Sequence, residues 1–265
     1  MPARLKHLAI VSSDPERLLR FYEGAFGMQR DRAIVVTDGY IGMNVNRRAP
    51  GRQAGLDHFG FEVDDVEEIF ARVRDDYPSI DFLKRPENRP FAGISMHDPA
   101  GNVFDLSQAG MENRRGMYAE APGAEHQLPR HISHLMLRVV DPATVAGFYR
   151  DVFGMRLDDG APDDGTFHLT DGTIRFVVAP WKIGNYEGSG IERPALDHLG
   201  FEVESLETFH GDVERLVAES PELTPLGATK DEEGSARSRL LSTCRYGSAH
   251  LADPDGVLID VAQPA

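Results

Sequence analysis

An eight-residue stretch occurs twice in the chain and carries residues that could bind a metal. It reads LDHFGFEV at residues 56–63 and LDHLGFEV at residues 196–203, and seven of the eight positions agree. Alternate side chains of a strand lie on opposite faces, so a histidine, a glycine and a glutamate share one face while apolar residues share the other. The glycine leaves space beside the imidazole. The repeated strand therefore predicts a polar face with room for chemistry next to a potential metal ligand.

The histidine and cysteine content indicates which ligands such a site would use. The chain has ten histidines and a single cysteine, Cys244. One cysteine excludes an internal disulfide framework and a thiolate cage. Imidazole and carboxylate ligands favour iron, manganese or zinc in an open site. Cys244 lies in no recognisable motif, and we assign it no role.

The charge and hydropathy of the chain narrow the class of partner. The formal net charge is -15 over 265 residues, which would repel nucleic acid and anionic membrane surfaces. No apolar run approaches the roughly 18 residues of a membrane span. The N-terminus lacks the apolar run of a signal peptide. We therefore expect a cytoplasmic protein that binds a small molecule, without nucleic acid or membrane partners.

An internal duplication organises the elements that must position these residues. Residues 4–31 align without a gap on residues 131–158. Each copy opens with alternating apolar and polar residues, which predict a half-buried strand. Asp14 then predicts a helix N-cap, Pro15 fits the first helical position, and Gly27 stands where a left-handed C-cap is favoured. The second copy repeats all three signals.

Hairpins complete each unit and define the fold class. Turns at Asp38-Gly39 and Asp171-Gly172 separate short β-prone runs, and Asp-Pro-x-Gly turns at 98–101 and 253–256 close each half; both turn types have a clear backbone basis. The chain thus contains four strand-helix-strand-strand-strand modules, which predict an α+β fold.

The modules group into two predicted domains of unequal length. We expect an N-terminal domain at residues 1–110 and a C-terminal domain at residues 131–265. Residues 111–130 are polar, aperiodic and rich in Gly, Pro and Ala, and predict a linker. The second domain is longer, with the excess in residues 221–246. Extra length at the rim of a scaffold is where substrate loops usually grow.

The module order, the repeated DHxGFEV strand and the closing DPxGxxxD motif resemble the vicinal oxygen chelate superfamily. Its members include glyoxalase I, extradiol ring-cleaving dioxygenases, bleomycin- and fosfomycin-resistance proteins and methylmalonyl-CoA epimerase. The resemblance implies that each pair of modules curls into a cup-shaped mixed sheet. It also implies a metal inside each cup, held by a histidine of the first strand, the histidine of the repeated strand and a carboxylate of the last strand.

The resemblance assigns these ligands to three residues in each half: His134, His198 and Asp260 in the second, and His7, His58 and Asp105 as a second possible site in the first. The alternation of the strand agrees, because Phe104 and Leu106 flank Asp105 and turn its carboxylate away from the apolar side. The usual carboxylate of the family is glutamate. Aspartate is one methylene shorter, so the metal must lie closer to this strand or the site has lost its metal.

Candidate catalytic residues follow from the same comparison. Glyoxalase I supplies a further glutamate that this chain lacks. Two-domain extradiol dioxygenases take iron only in the C-terminal half and carry a tyrosine three positions before the Asp-Pro turn, where this chain has His250. We expect His250 to act as acid or base, with Glu202, Tyr246 and His168 as further catalytic candidates near the second site.

The function expected first is a metal-dependent, extradiol-type dioxygenase acting on a small aromatic substrate with vicinal oxygens. Fe(II) is the expected cofactor, and Mn(II), Zn(II) and Ni(II) are alternatives. The second alternative is a metal-dependent isomerase, epimerase or lyase of the glyoxalase type, and the third a non-catalytic binder of a drug or metabolite. The first-half residues could also be a relic of duplication. A homo-oligomer is compatible with each alternative.

Overall fold

The computed structural model describes residues 3–85, 91, 93–108, 128–158, 164–184, 193–228, 234 and 246–264. Most of the predicted linker at 111–130 and Cys244 lie outside this part of the chain. Within it, no helix has the length and apolar character needed to cross a bilayer.

The first half forms one mixed sheet of eight strands with two helices. The strand order is β2-β3-β4-β1-β5-β8-β7-β6. In chain order the elements are β1 (Arg4–Ser12), α1 (Pro15–Phe26), β2 (Gln29–Arg32), β3 (Val35–Thr37), β4 (Gly42–Arg47), β5 (Gly55–Val63), α2 (Val66–Asp76), β6 (Phe82–Lys84), β7 (Ile94–His97) and β8 (Val103–Gln108).

The second half repeats this plan in a seven-stranded sheet of order β10-β11-β12-β9-β13-β15-β14. Its elements are β9 (His131–Val139), α3 (Pro142–Phe153), β10 (Arg156–Leu157), β11 (Phe167–Thr170), β12 (Arg175–Pro180), β13 (Ala195–Glu202), α4 (Leu206–Glu219), β14 (Ala249–Ala252) and β15 (Leu258–Ala262). Short 3-10 turns lie at Pro221–Leu223 and Leu226–Ala228. The predicted α+β fold of four modules is confirmed, although in the described part of the fourth module only two strands follow the helix.

The predicted helix ends are confirmed in both copies. The Asp14 side chain accepts a hydrogen bond from the backbone N–H of Arg17, and Gly27 ends α1 with φ of 65°. In α3 the cap is Asp141, and Gly154 ends the helix with φ of 66°. A positive φ is accessible to glycine at little cost, so both helices end where the sequence predicts.

The apolar faces of both sheets pack with the helices into one continuous core. Helix α1 of the first half contacts α4 of the second, and α2 contacts α3. Aromatic rings cross between the halves: Phe26 stacks on Phe201 with centroids 3.9 Å apart, and Phe61 stacks on Phe153 at 4.9 Å. The polar faces of the sheets are thereby turned away from this core.

Two buried tyrosine-aspartate hydrogen bonds link the halves reciprocally. The hydroxyl of Tyr22 donates to Asp253 at 2.9 Å, and that of Tyr149 donates to Asp98 at 3.1 Å. Both aspartates belong to the Asp-Pro-x-Gly turns, which the sequence predicts only as turns. Burial raises the pKa of Asp253 to about 6 and also raises the pKa of Asp98.

The hairpin aspartates make a second pair of reciprocal contacts. Asp171 accepts from the backbone N–H of Leu5 at 2.8 Å and from the hydroxyl of Tyr40 at 3.0 Å. Asp38 accepts from the backbone N–H of Ile132 at 2.9 Å. Each turn therefore fixes the start of the first strand of the opposite half.

Candidate metal centres

Three neighbouring strands of the second sheet bring the predicted ligands together. Gly200 on β13 lies in register between His134 on β9 and Asp260 on β15, and His198 lies two residues before Gly200. A Cβ atom at Gly200 would lie 1.9 Å from the His134 ring. The glycine is thus needed for the imidazole to lie across the polar face, as the repeated strand predicts. We call His134, His198 and Asp260 the C-terminal centre.

The first sheet repeats this arrangement. Gly60 on β5 pairs with His7 on β1 and with Asp105 on β8. His58 again lies two residues before the glycine, and Phe91 stacks on the His7 ring with centroids 4.7 Å apart. A Cβ atom at Gly60 would lie 2.6 Å from Phe91. We call His7, His58 and Asp105 the N-terminal centre.

The donor atoms of the C-terminal centre face one another at distances that suit one ion. The Nε2 atoms of His134 and His198 are 3.2 Å apart, and Oδ2 of Asp260 is 3.9 Å from Nε2 of His134. One donor atom from each of the three residues lies within 4.8 Å of the others. Since a divalent ion binds such donors at about 2.0–2.2 Å, one ion can contact all three. The shorter aspartate still reaches the site.

The donor atoms of the N-terminal centre also lie close enough together to bind one ion. The Nε2 atoms of His7 and His58 are 3.4 Å apart, and Oδ2 of Asp105 is 3.2 Å from Nε2 of His58. One donor atom from each residue again lies within 4.8 Å of the others. Two imidazoles and one carboxylate leave further coordination positions open, which suits Fe(II) and related divalent ions.

A β-bulge places a second carboxylate behind each repeated histidine. Asp197 and Asp57 are skipped in the pairing of β13 with β9 and of β5 with β1. Each therefore contacts the histidine that follows it, with Nδ1···Oδ2 distances of 3.1 Å for His198 and 2.9 Å for His58. Arg138 also donates to Asp197 at 2.9 Å. A carboxylate on the far ring nitrogen fixes the tautomer and orientation of a metal-binding histidine.

Neither aspartate is among the residues predicted from the sequence, although both contact candidate ligands. Each lies in the repeated LDH motif, which is the signal that could have found it. Strict alternation places the residue before a histidine on the opposite face, and the bulge breaks that alternation.

The histidines of the two centres differ in how readily they hold a proton. Burial lowers the pKa of His134 well below its usual range, and the neighbouring charge of His198 lowers it further. Burial also lowers the pKa of His58, but hydrogen bonds to Asp105 and Asp57 outweigh it and raise the pKa to about 9. At neutral pH the imidazole of His134 is therefore uncharged, whereas an ion at the N-terminal centre would have to displace a proton from His58.

Three of the four predicted catalytic side chains lie around the C-terminal centre. Nδ1 of His250 is 2.7 Å from Oδ1 of Asp260, and the backbone N–H of Tyr246 donates to Oδ2 at 2.8 Å. The hydroxyl of Tyr246 is 3.3 Å from Nε2 of His168, and its ring lies 5.4 Å from that of His134. The centre is thus surrounded by two imidazoles and a phenol.

The fourth predicted catalytic residue, Glu202, lies elsewhere. It is two residues beyond Gly200, about 7 Å along the strand, and pairs with His131. Its carboxylate lies 3.8 Å from Nε2 of His131. Glu202 shares a face with His198 but lies too far along the strand to reach the donor atoms.

Among the described residues, other side chains occupy the corresponding positions around the N-terminal centre. Ser95 lies opposite Asp105, as His250 lies opposite Asp260, and its hydroxyl donates to Asp105 at 2.5 Å. Val35 stands at the position in β3 that His168 occupies in β11. The duplicated sheets therefore present similar donor sets with different neighbours.

The centres also differ in exposure. In the C-terminal centre at most 5% of any ligand side chain is exposed. In the N-terminal centre the side chain of His58 is 20% exposed and that of Asp105 is 10% exposed, and both border a cavity of about 490 Å³.

The family model for the glyoxalase/bleomycin resistance protein/dioxygenase superfamily matches residues 4–106 and 131–261. The chain belongs to this superfamily. The predicted resemblance is confirmed over both halves. The two matched ranges correspond to the duplicated halves of the chain.

Several solved structures share this fold. A catechol 2,3-dioxygenase matches with a TM-score of 0.59 and 16% identity, over 100% of this chain and 88% of that one. The 2,3-dioxygenase LapB from Pseudomonas sp. KL28 matches with a TM-score of 0.63 and 18% identity, over 100% of this chain and 93% of that one. The Mn(II)-bound glyoxalase from Novosphingobium aromaticivorans matches with a TM-score of 0.61 and 16% identity, over 99% of this chain and 89% of that one. At such low identity the likeness shows the fold. No curated protein sequence matches the chain.

Proposed function

We propose that the protein is a metal-dependent enzyme of the superfamily that cleaves a catechol-type ring in the extradiol manner at its C-terminal centre. The observation that carries the proposal is the difference between the centres. His250, Tyr246 and His168 surround the C-terminal donor set, whereas the N-terminal centre has a serine and a valine at two of the corresponding positions. Ring cleavage needs groups that move protons on and off substrate oxygens.

His134, His198 and Asp260 would hold the ion, for which Fe(II) is the proposed choice. The bound ion would supply chelation of two adjacent substrate oxygens and a place for O₂. Mn(II) fits the same donors, and a Mn(II)-bound glyoxalase shares the fold. Zn(II) and Ni(II) are further alternatives.

The neighbouring residues would handle protons and exclude water. His250 bonds Asp260 through Nδ1, which leaves its Nε2 to accept or donate a substrate proton. Burial lowers the pKa of His168, so this imidazole is neutral at pH 7 and can accept a hydrogen bond from Tyr246. The burial of the donor set keeps bulk water from the reacting atoms and strengthens each electrostatic contact.

The test is anaerobic reconstitution with Fe(II), followed by oxygen-uptake measurements on a panel of catechols. We expect uptake coupled to a ring-cleaved product, lost in His198→Ala and retained in His58→Ala. His250→Gln should lower kcat by about 10²-fold or more, as expected for removal of an acid-base group, while metal content stays unchanged. Metal analysis of each variant separates loss of the ion from loss of chemistry.

The outcome that contradicts the proposal is a fully loaded C-terminal centre without oxygen uptake on any catechol. Turnover of a substrate without oxygen consumption, supported by Zn(II), Mn(II) or Ni(II), would instead assign the centre to an isomerase, epimerase or lyase in which His250 moves the proton. Tight ligand binding with no metal in either centre would assign a non-catalytic binding protein.

A further inference from the structure

A cavity at the seam between the two halves reaches the N-terminal centre. His58 and Asp105 of that centre border it from the first half, and residues 193–196 border it from the second. Its volume of about 490 Å³ lies within the roughly 300–1,000 Å³ of small-molecule sites. Leu56, Pro194 and Leu196 form an apolar part of the wall. The space suits a small ring with a polar edge.

The cavity is rich in arginine although the chain as a whole is acidic. Arg52, Arg85 and Arg193 line it, in a protein of net charge -15. Arg52 forms an ion pair with Asp57, the residue that orients His58. Within the described part of the chain, no ion pair neutralises Arg85 or Arg193. Two guanidinium groups therefore line the cavity without an ion pair to any described carboxylate.

Arg85 is joined to the donor set by a chain of hydrogen bonds. Its Nε donates to Ser95 at 2.9 Å, and the Ser95 hydroxyl donates to Oδ1 of Asp105 at 2.5 Å. Oδ2 of Asp105 lies 3.2 Å from His58. Among the described residues only Nε of this guanidinium is engaged, so its two terminal nitrogens are proposed to bind a ligand. A fixed guanidinium beside a cavity suits a carboxylate, which it can bind through two parallel hydrogen bonds.

We propose that the N-terminal centre is a second ligand site, which binds a small aromatic carboxylate bearing a hydroxyl next to the carboxylate. Arg85 and Arg193 hold the carboxylate, the ring lies against Leu56 and Leu196, and the hydroxyl points toward a divalent ion at His58 and Asp105. This site is independent of the proposed ring cleavage, which uses the other donor set and needs no arginine from this cavity.

The experiment uses the full chain carrying His198→Ala, which disables the C-terminal centre, loaded with Mn(II). Salicylate is the probe because it has the required groups and is fluorescent, and salicylamide is its uncharged counterpart. Binding is followed by fluorescence titration and by the water-proton relaxation of Mn(II). We expect one salicylate per chain, a change in relaxation on binding, and much weaker binding of salicylamide.

Arginine variants in the same background test whether Arg85 and Arg193 bind the carboxylate of the ligand. Arg193→Gln and Arg85→Gln should each weaken salicylate binding at least about tenfold, the usual scale for one charged hydrogen-bond partner, and leave salicylamide binding unchanged. The matched control is Arg74→Gln, which removes the same charge from an exposed position on α2 outside the cavity. It should leave both affinities unchanged.

Two results would overturn the proposal. One is equal salicylate affinity in the Arg85, Arg193 and Arg74 variants. The other is salicylate binding that disappears in His198→Ala and persists in His58→Ala, which would place the ligand in the C-terminal centre. If circular dichroism shows that His198→Ala is unfolded, the arginine substitutions are made in the otherwise unmodified chain. Salicylate affinity should then fall by the same factor at one set of sites, those in the N-terminal half. Oxygen uptake on catechols reports separately on the proposed enzyme.

Discussion

Two glycines determine where imidazoles can lie in the sheets. Gly60 and Gly200 are each flanked in register by a histidine on one neighbouring strand and an aspartate on the other. Any larger residue would occupy the space of the His134 ring in the second half or of Phe91 in the first. The donor sets therefore depend on residues that contribute no donor atom.

We predict that Gly200→Ala removes tight metal binding at the C-terminal centre. The added Cβ atom would lie 1.9 Å from the His134 ring, so the ring must move, and metal affinity should fall by at least about 10- to 100-fold, as for lost orientation of a ligand. Metal stoichiometry and affinity measured in the His58→Ala background check this. Unchanged affinity would mean that His134 is not a ligand.

We also predict that Asp197→Asn weakens metal binding at the C-terminal centre by about 10- to 100-fold. The amide no longer supplies a negative charge to His198 and Arg138, which both contact Asp197 in the buried sheet. The matched control is Asp151→Asn at an exposed helix position. Competitive titration with a chelator measures both variants, and equal affinities would count against an orienting role for Asp197.

The histidine-aspartate sets could be predicted from the resemblance to the superfamily, with support from alternation and internal repetition, whereas the residues that contact them could not. His134, His198 and Asp260 each alternate with apolar neighbours, and this local property is visible in one sequence. Asp197 reaches His198 only because a bulge disrupts the alternation. Glu202 fits the alternation and still misses the centre, since position along the strand matters as much as face.

Strands and helices differ in how clearly their sequences mark them. The core strands and all four helices could be predicted, because apolar spacing and capping residues signal them locally. The first strand after each of α1, α2 and α3 could not be placed. These edge or near-edge strands, Gln29–Arg32, Phe82–Lys84 and Arg156–Leu157, are mostly exposed. Without a buried face they carry no alternation, and their position depends on backbone pairing with a neighbour.

At the element scale we predict opposite effects for two glycines of α3. Gly154→Ala should lower the free energy of unfolding by about 1 kcal/mol, because φ of 66° strains any residue with a Cβ atom. Gly147→Ala should raise it by about 0.5–1 kcal/mol, because Gly147 lies inside the helix with open space at its Cβ position. Urea unfolding of both variants checks the pair. Equal effects would contradict the helix boundary.

The whole molecule is tied together by residues whose sequence signal is purely local. Asp98 and Asp253 satisfy every requirement of a turn, and nothing in a single sequence shows that each also accepts a hydrogen bond from a tyrosine of the opposite half. Long-range partners of this kind depend on how the halves dock. The two halves that the sequence predicts share one continuous hydrophobic core.

This arrangement predicts a pH-dependent stability. The folded pKa of Asp253 is about 6, against an ordinary value of 3.8. Between these values the folded chain binds more protons than the unfolded chain, so the free energy of unfolding falls as pH rises from about 4 to about 6 and then levels. Two pKa units correspond to about 3 kcal/mol.

Asp253→Asn should remove most of this dependence, because asparagine stays neutral and can keep hydrogen bonds to the turn and to Tyr22. Urea unfolding at pH 4, 5, 6 and 7 measures the difference between the variant and the unmodified protein. As pH rises, the free energy of unfolding of the variant should increase relative to that of the unmodified protein. A constant difference across the range would show that Asp253 does not titrate in this way.

The reciprocal tyrosine-aspartate bonds have a consequence for any attempt to divide the protein. Each half buries aromatic rings and a carboxylate against its counterpart, so a fragment produced by cleavage between the halves would expose a large apolar surface. Fragments 1–110 and 131–265 made separately should aggregate or stay unstructured, and should recover native-like near-UV circular dichroism when refolded together. The protein would then behave as a two-piece complementation system, in which assembly reports directly on the docking of the halves.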